Sequence, residues 1–214
     1  MITRASLPGD WIAVLGGAYR HTSRQVVAAY ETGLAIASFG KNVITGATTG
    51  LPYAAALGAK EKGALVIGIS PGANVEDHVQ IFSKPLDAMD AIVYSGLNYE
   101  GRGPLIVRSA IGCIFIGGEF GTLNEFTLAW VAGKKVIGIL TNLGGMTDSI
   151  QDLLKVNKSN YGSRVIFNDD PHQLVTEVVA GISDLSPELN STADGFGADV
   201  REIIEFYRSE QDEG

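Results

Sequence analysis

The sequence predicts an α/β fold: a doubly wound, largely parallel sheet of about seven strands with helices on both faces, plus a C-terminal helical extension. Three observations predict it. Seven short runs are apolar throughout and rich in β-branched residues. Stretches with helical periodicity separate them. The glycines, 27 in 214 residues against a usual share of about 7%, gather where the runs end. Runs without polar alternation belong to strands covered on both faces. Repeated strand–helix alternation places those strands in a parallel sheet with right-handed crossovers.

In order, the strand runs are WIAVL (11–15), NVIT (42–45), LVIGI (65–69), AIVY (91–94), CIFI (113–116), KVIGIL (135–140) and RVIF (164–167). The first helix is expected over Ser23 to Phe39, with Val26, Val27, Tyr30 and Leu34 at helical spacing and Thr22 and Gln25 as a capping box. Further helices are expected over Leu51–Lys62, Thr122–Ala132, Met146–Lys155 and Pro171–Ile182. No linker interrupts residues 1–182, which read as one ligand-binding domain. Residues 183–214 read as an extension: a turn-rich polar segment, then Val200, Ile203, Ile204 and Tyr207 at the spacing of an amphipathic helix. Its apolar stripe either docks on the body or contacts a second subunit. The final SEQDEG reads as disordered.

Net charge is −8, from 16 basic and 24 acidic residues. The extension holds nine acidic residues against Arg201 and Arg208, so most of the excess lies there. An acidic chain without a basic cluster is a poor match to a nucleic-acid backbone. No run of about 18 uncharged apolar residues offers a membrane span. The N-terminus MITRASLPGDW has no apolar segment of a signal peptide, and a single cysteine, Cys113, cannot form an internal disulfide. These features predict a cytoplasmic protein with neither nucleic-acid nor membrane partners.

In an open parallel sheet, ligands bind beyond the carboxyl ends of the strands. Glycine there admits a phosphate close to free backbone N–H groups and the helix dipole. Candidate ligand contacts are therefore Gly16 and Gly17 after the first run, and Gly46, Thr48, Thr49 and Gly50 after the second. Ser95 and Gly96 follow the fourth run, and Gly117, Gly118, Glu119, Gly121 and Thr122 follow the fifth. Tyr99 and Asn98 are positioned to meet a base. The first turn, LGGAYRH, lacks G-x-G-x-x-G, which argues against a dinucleotide-dependent dehydrogenase. Gly96 to Gly103 has P-loop spacing, but Arg102 and Gly103 stand where Lys and a Mg²⁺-binding hydroxyl are needed. His21, His78 and His172 are scattered, so neither a metal site nor a Ser-His-Asp arrangement is expected.

The segment Gly117-Gly118-Glu119-Phe120-Gly121-Thr122-Leu123-Asn124-Glu125, with RGPLIVRSA before it, resembles the LOG family and the wider SLOG superfamily of Rossmann-like nucleotide-binding proteins. Many of these carry a "lysine decarboxylase-like" label. The family motif is PGGxGTxxE, preceded by a helix bearing an Arg sixteen residues before its first Gly. Placing that Gly on Gly118 puts Arg102 on the Arg and Glu125 on the Glu. A second motif, GGxxGLM, is matched by Gly46-Ala47-Thr48-Thr49-Gly50-Leu51-Pro52. The resemblance covers about residues 11–140 and is closest to the subgroup that includes the molybdenum-cofactor carrier protein.

This resemblance implies a nucleoside 5′-monophosphate phosphoribohydrolase, metal-independent and without a bound cofactor. Arg102 and Glu125 would be catalytic and the glycine turns would hold phosphate. It implies a homo-oligomer, a dimer or higher. Three departures stand out: Glu119 replaces the second motif Gly, Gly103 replaces a Lys, and Pro52 replaces a Met. Those at Glu119 and Gly103 favour the alternative of a non-catalytic carrier for a nucleotide or molybdopterin-type cofactor. A subunit interface filling the site is a third reading. Structural alternatives for the residues themselves also stand. Thr122-x-x-Glu125 is a capping-box pattern, Arg102 sits in a glycine loop as a solvated residue, and Glu119 points to solvent.

Overall fold

The computed structural model describes residues 11–157, 159 and 161–185, together with the helical positions Glu202, Ile204, Glu205 and Arg208. The chain divides into two compact units, residues 1–182 and 183–214. In the second unit, Val200, Ile203 and Tyr207 of the expected amphipathic helix lie outside the described residues, as does SEQDEG. Among the described residues no helix is long and apolar enough to cross a membrane.

The first unit is a seven-stranded sheet, parallel throughout. Its strands are β1 (Trp11–Gly16), β2 (Asn42–Thr45), β3 (Val66–Ser70), β4 (Ala91–Tyr94), β5 (Gly112–Ile116), β6 (Val136–Leu140) and β7 (Arg164–Asn168). The order across the sheet is β4-β3-β2-β1-β5-β6-β7. The chain builds outward from β1 to β4, then returns to pair β5 with the other side of β1. The topological switch point lies between β1 and β5, the crevice where an open α/β sheet takes ligands.

Every residue of β2, β5 and β6 is buried. The edge strands depart from the expectation of burial on both faces. Ala91 and Val93 of β4 and Arg164 of β7 are exposed, because an edge strand lacks a neighbour on one side.

The helices are α1 (Ser23–Ser38), α2 (Leu51–Glu61), α3 (Asn98–Ser109), α4 (Phe120–Ala132), α5 (Ile150–Val156) and α6 (Pro171–Leu185). Both halves of the Thr22–Gln25 capping box form at the start of α1. Helices α1 and α2 pack backbone against backbone. A Cβ on Gly33 would lie 1.9 Å from the Ala55 carbonyl oxygen, and one on Gly58 would lie 2.1 Å from that of Tyr30. These glycines are required by packing between helices, not by a turn.

Three local expectations are corrected. Residues 98–109 form α3, the Arg-bearing helix that the family resemblance implies, in place of the glycine loop read from the residues alone. Gly101, Gly103 and Pro104 are poor helix formers, but α3 buries Ile106 and Val107, and tertiary packing outweighs propensity. Helix α4 starts at Phe120 with Glu119 as N-cap, so Thr122 lies within the first turn and cannot cap. The stretch from Met146 opens with a 3-10 turn (Met146–Ser149) before α5. A π-helical turn at Asp77–Ile81 carries no sequence signal.

Candidate functional site

A cleft of about 720 Å³ opens at the switch point. Its floor is the end of β1. Gly16 is obligatory there, since a Cβ would stand 2.3 Å from the Ile116 carbonyl oxygen of β5. Gly17 then passes the glycine turn after β5, where its Cβ would lie 3.4 Å from Gly118 Cα.

Four strand-end turns are bound into one cradle. Leu51 N–H donates to the Gly17 carbonyl at 2.8 Å, and Met146 N–H donates to that of Gly118 at 2.8 Å. Gly117 N–H donates to Thr147 Oγ1 at 3.0 Å. Gln25 Nε2 donates to the Gly144 carbonyl at 3.2 Å. Gly118 adopts φ of +81° and presses against Thr122, whose Oγ1 would be 2.0 Å from an added Cβ. Gly117 and Gly118 thus shape the cradle from beneath.

The amino end of α4 faces the cleft. Leu123 N–H makes the first intrahelical bond, to the Glu119 carbonyl at 3.1 Å. The N–H groups of Phe120, Gly121 and Thr122 precede that bond and have no partner inside the helix. All three residues line the cleft, and a Cβ on Gly121 would meet nothing within 4 Å. Glu119 is exposed and also lines the cleft. It makes no side-chain capping bond.

Arg102 is only 6% exposed, which overturns the solvated reading. Its Nη1 donates to the carbonyls of Gly46 and, at 3.5 Å, Ile69. Its Cζ lies 4.9 Å from the centre of the Tyr99 ring. Two buried polar atoms beside the cleft have no partner: Arg102 Nε and Thr48 Oγ1, the latter on a residue 4% exposed. A buried donor left unpaired costs about 1–3 kcal/mol; Trp130 Nε1, away from the cleft, is a third such atom.

Glu125 is half-buried one helical turn into α4. Burial pushes its carboxyl up to about 7, against the opposing pull of the Arg102 guanidinium. Arg102 is itself lowered, chiefly by burial, with Glu125 acting in the opposite direction. Gly103 faces α4, where its Cβ would lie 3.7 Å from Glu125 Cγ and 3.2 Å from Leu128 Cδ1.

The structure brings Gly16, Gly17, Gly46, Thr48, Arg102 and Glu125 to one cleft with Glu119, Gly121 and Thr122. Thr49 and Gly50 stand behind it. Thr49 Oγ1 donates to the Ala18 carbonyl at 3.1 Å, and Gly50, with φ of +74°, abuts the Gly17 carbonyl. Ser95 and Gly96 lie outside it, at the end of edge strand β4. There Ser95 Oγ and Gly96 N–H bond the carbonyls of Ser70 and Gly72. Strand order, which puts β4 three places from β1, decides that.

Two residues carry no signal in the sequence. Tyr19 is 63% exposed in the turn after β1 and lines the cleft. Lys84 is 3% exposed, and its Nζ donates to Tyr19 Oη at 2.5 Å. That bond holds the Tyr19 phenol below its ordinary value. A single Lys between Ser83 and Pro85 offers no spacing to read. Among the described residues no group of three His, Cys, Asp or Glu side chains is placed to hold a metal ion.

Fold and site together define a doubly wound α/β ligand-binding domain with a glycine cradle at its switch point. The family model described as the SLOG cluster4 family matches residues 10–175. The chain belongs to that family. An uncharacterized protein of Archaeoglobus fulgidus is 34% identical over 111 residues, covering 52% of this chain and 68% of its own. The molybdenum cofactor binding protein of Rippkaea orientalis superposes with a TM-score of 0.64 at 27% identity, over 83% of this chain and 99% of its own. The molybdenum cofactor carrier protein of Chlamydomonas reinhardtii gives 0.61 at 24% identity, over 84% and 99%.

Proposed function

We propose that the cleft binds a phosphate-bearing, nucleotide-like ligand, with the phosphate against the N–H groups of Phe120, Gly121 and Thr122. The observation that carries this is the pairing of an open helix N-terminus at α4 with two unpartnered polar atoms beside it, Arg102 Nε and Thr48 Oγ1. Helix dipole, free N–H groups and a buried guanidinium all reward an anion. The names of the Rippkaea and Chlamydomonas neighbours support a carrier role, with a nucleotide or a pterin-type cofactor as cargo. Arg102 spends its hydrogen bonds on backbone carbonyls, which suits holding more than catalysis. The family resemblance supports a homo-oligomer, and the composition of the chain supports a cytoplasmic setting.

A second reading, N-glycosidic hydrolysis of a nucleoside 5′-monophosphate, is favoured by Glu125. A carboxyl near 7 in a cleft is poised to trade a proton at neutral pH. As a carboxylate it stabilises the oxocarbenium-like ribose or orients water. Incubation with a panel of nucleoside 5′-monophosphates, followed by chromatography for free base, decides between them. Ligand-induced thermal stabilisation without base release supports the carrier. Release that Glu125→Gln abolishes supports the hydrolase. Neither stabilisation nor release across the panel contradicts both the hydrolase and a nucleotide cargo.

A further inference from the structure

We propose that Tyr19 and Phe120 form an aromatic stacking subsite at the rim of the cleft. It holds a planar heteroaromatic ring by its face and accepts oxo- and amino-substituted heterocycles alike. The inference rests on the phosphate reading above and specifies what the cleft recognises beyond the phosphate.

Phe120 is 79% exposed and Tyr19 63% exposed, and both line the cleft. They stand on adjoining turns. Gly17, after β1, passes Gly118, after β5, in van der Waals contact. Tyr19 and Phe120 each follow two residues beyond that contact. Phe120 is the first residue of α4, so its ring leaves the chain beside the N–H groups assigned to the phosphate. Among the described residues it packs against no other ring.

Tyr19 is braced from behind. Its hydroxyl accepts from Lys84 Nζ at 2.5 Å and is also bonded to the side chains of Tyr99 and Thr49. Tyr99 itself is already in use. Arg102 Cζ lies 4.9 Å from its ring centre, and Phe82 meets it at right angles with the centroids 5.5 Å apart. The Tyr19 ring is thereby fixed with most of its surface open, and a ring already fixed loses little freedom on binding. Two large rings left in water at the rim of a cleft gain by covering a flat apolar partner.

The ligand class follows from how rings recognise rings. Stacking joins π-faces, which every heterocycle has, and does not read the donors and acceptors along the edge. A sugar phosphate has no such face. The subsite therefore separates heteroaromatic phosphates from sugar phosphates without choosing among bases.

The test titrates the full-length protein with adenosine, guanosine and inosine 5′-monophosphates and with ribose 5-phosphate. The quantity read is the ratio of nucleotide to ribose 5-phosphate affinity. A ratio of about tenfold or more is expected, with the three nucleotides within about threefold of one another. Phe120→Ala and Tyr19→Ala should each cut the ratio by about five- to tenfold. Phe120→Trp and Tyr19→Phe keep a ring and should preserve it. A ratio near one in the wild type overturns the inference, as does a ratio that survives both alanine variants. A spread of about tenfold or more among the three nucleotides overturns it too. If ribose 5-phosphate binds while the nucleotides gain nothing over it, the subsite alone fails. If none of the four binds, the phosphate reading fails and the subsite with it.

Discussion

Arg102 donates through Nη1 to the carbonyl of Gly46, and a Cβ at residue 46 would lie 2.8 Å from the guanidinium carbon. The turn after β2 and the second turn of α3 are therefore matched at one contact. This contact fixes the guanidinium of a buried arginine in the wall of the cleft.

Gly46→Ala tests that match. The guanidinium is the far end of a flexible side chain, so it shifts instead of the backbone. Losing bonds from a buried charge costs about 1–3 kcal/mol of stability. Nucleotide affinity should fall in the same variant. Thermal unfolding and a binding titration on the same protein check both effects.

Glu125 makes stability depend on pH. Its folded value of about 7 lies above its ordinary 4.5. The folded state thus holds a proton that the unfolded chain releases earlier. Its contribution is fully present below about pH 4.5 and lost as pH rises towards and through 7. A tenfold difference in proton affinity corresponds to about 1.4 kcal/mol. With solvent screening at a half-buried carboxyl, the loss is on the order of 2–3 kcal/mol. Glu125→Gln should unfold at a higher temperature than wild type at pH 8 and at a similar temperature at pH 4.5. Unfolding curves of both proteins across that range provide the check.

Gly121→Ala separates folding from binding. A Cβ there meets nothing within 4 Å, and the residue lines the cleft in the first turn of α4. Replacing a helical Gly by Ala should stabilise by about 0.5–1 kcal/mol. The same methyl occupies the space where a phosphate approaches, so affinity should fall. A more stable protein with weaker ligand binding is the expected pair of results in calorimetry.

Glu119 stands at the rim as an exposed carboxylate beside the proposed phosphate site. Glu119→Gly should raise affinity for a phosphate-bearing ligand by about two- to fivefold at low salt. The gain should shrink as ionic strength rises, because screening weakens repulsion between exposed charges. Titrations at two salt concentrations measure it.

The strands are legible in the sequence because their apolar runs have no alternation, and all seven appear within a residue or two of the expected limits. Helix α1 is legible through Thr22 and Gln25. Helix α3 is implied by the family resemblance but hidden from local propensity, because Gly101, Gly103 and Pro104 are breakers until Ile106 and Val107 find a core to enter. The same helix turns Arg102 from a solvated loop residue into a buried one. The family resemblance assigns Arg102, Gly121 and Glu125 to one site, and the fold brings them to one cleft. Ser95 and Gly96 fall outside it because strand order across the sheet is absent from local pattern. Lys84 is invisible for a different reason: its environment is assembled from three distant segments, at Tyr19, Ser83–Pro85 and Tyr99.

The central claim is that a phosphate sits against the first turn of α4. The most direct measurement is the backbone amide resonances of the ¹⁵N-labelled protein during titration with ribose 5-phosphate. Saturable shifts concentrated at Phe120, Gly121 and Thr122, weakened by Gly121→Ala, are the predicted result. Shifts that spare these three amides, or no saturable response at all, would contradict the claim.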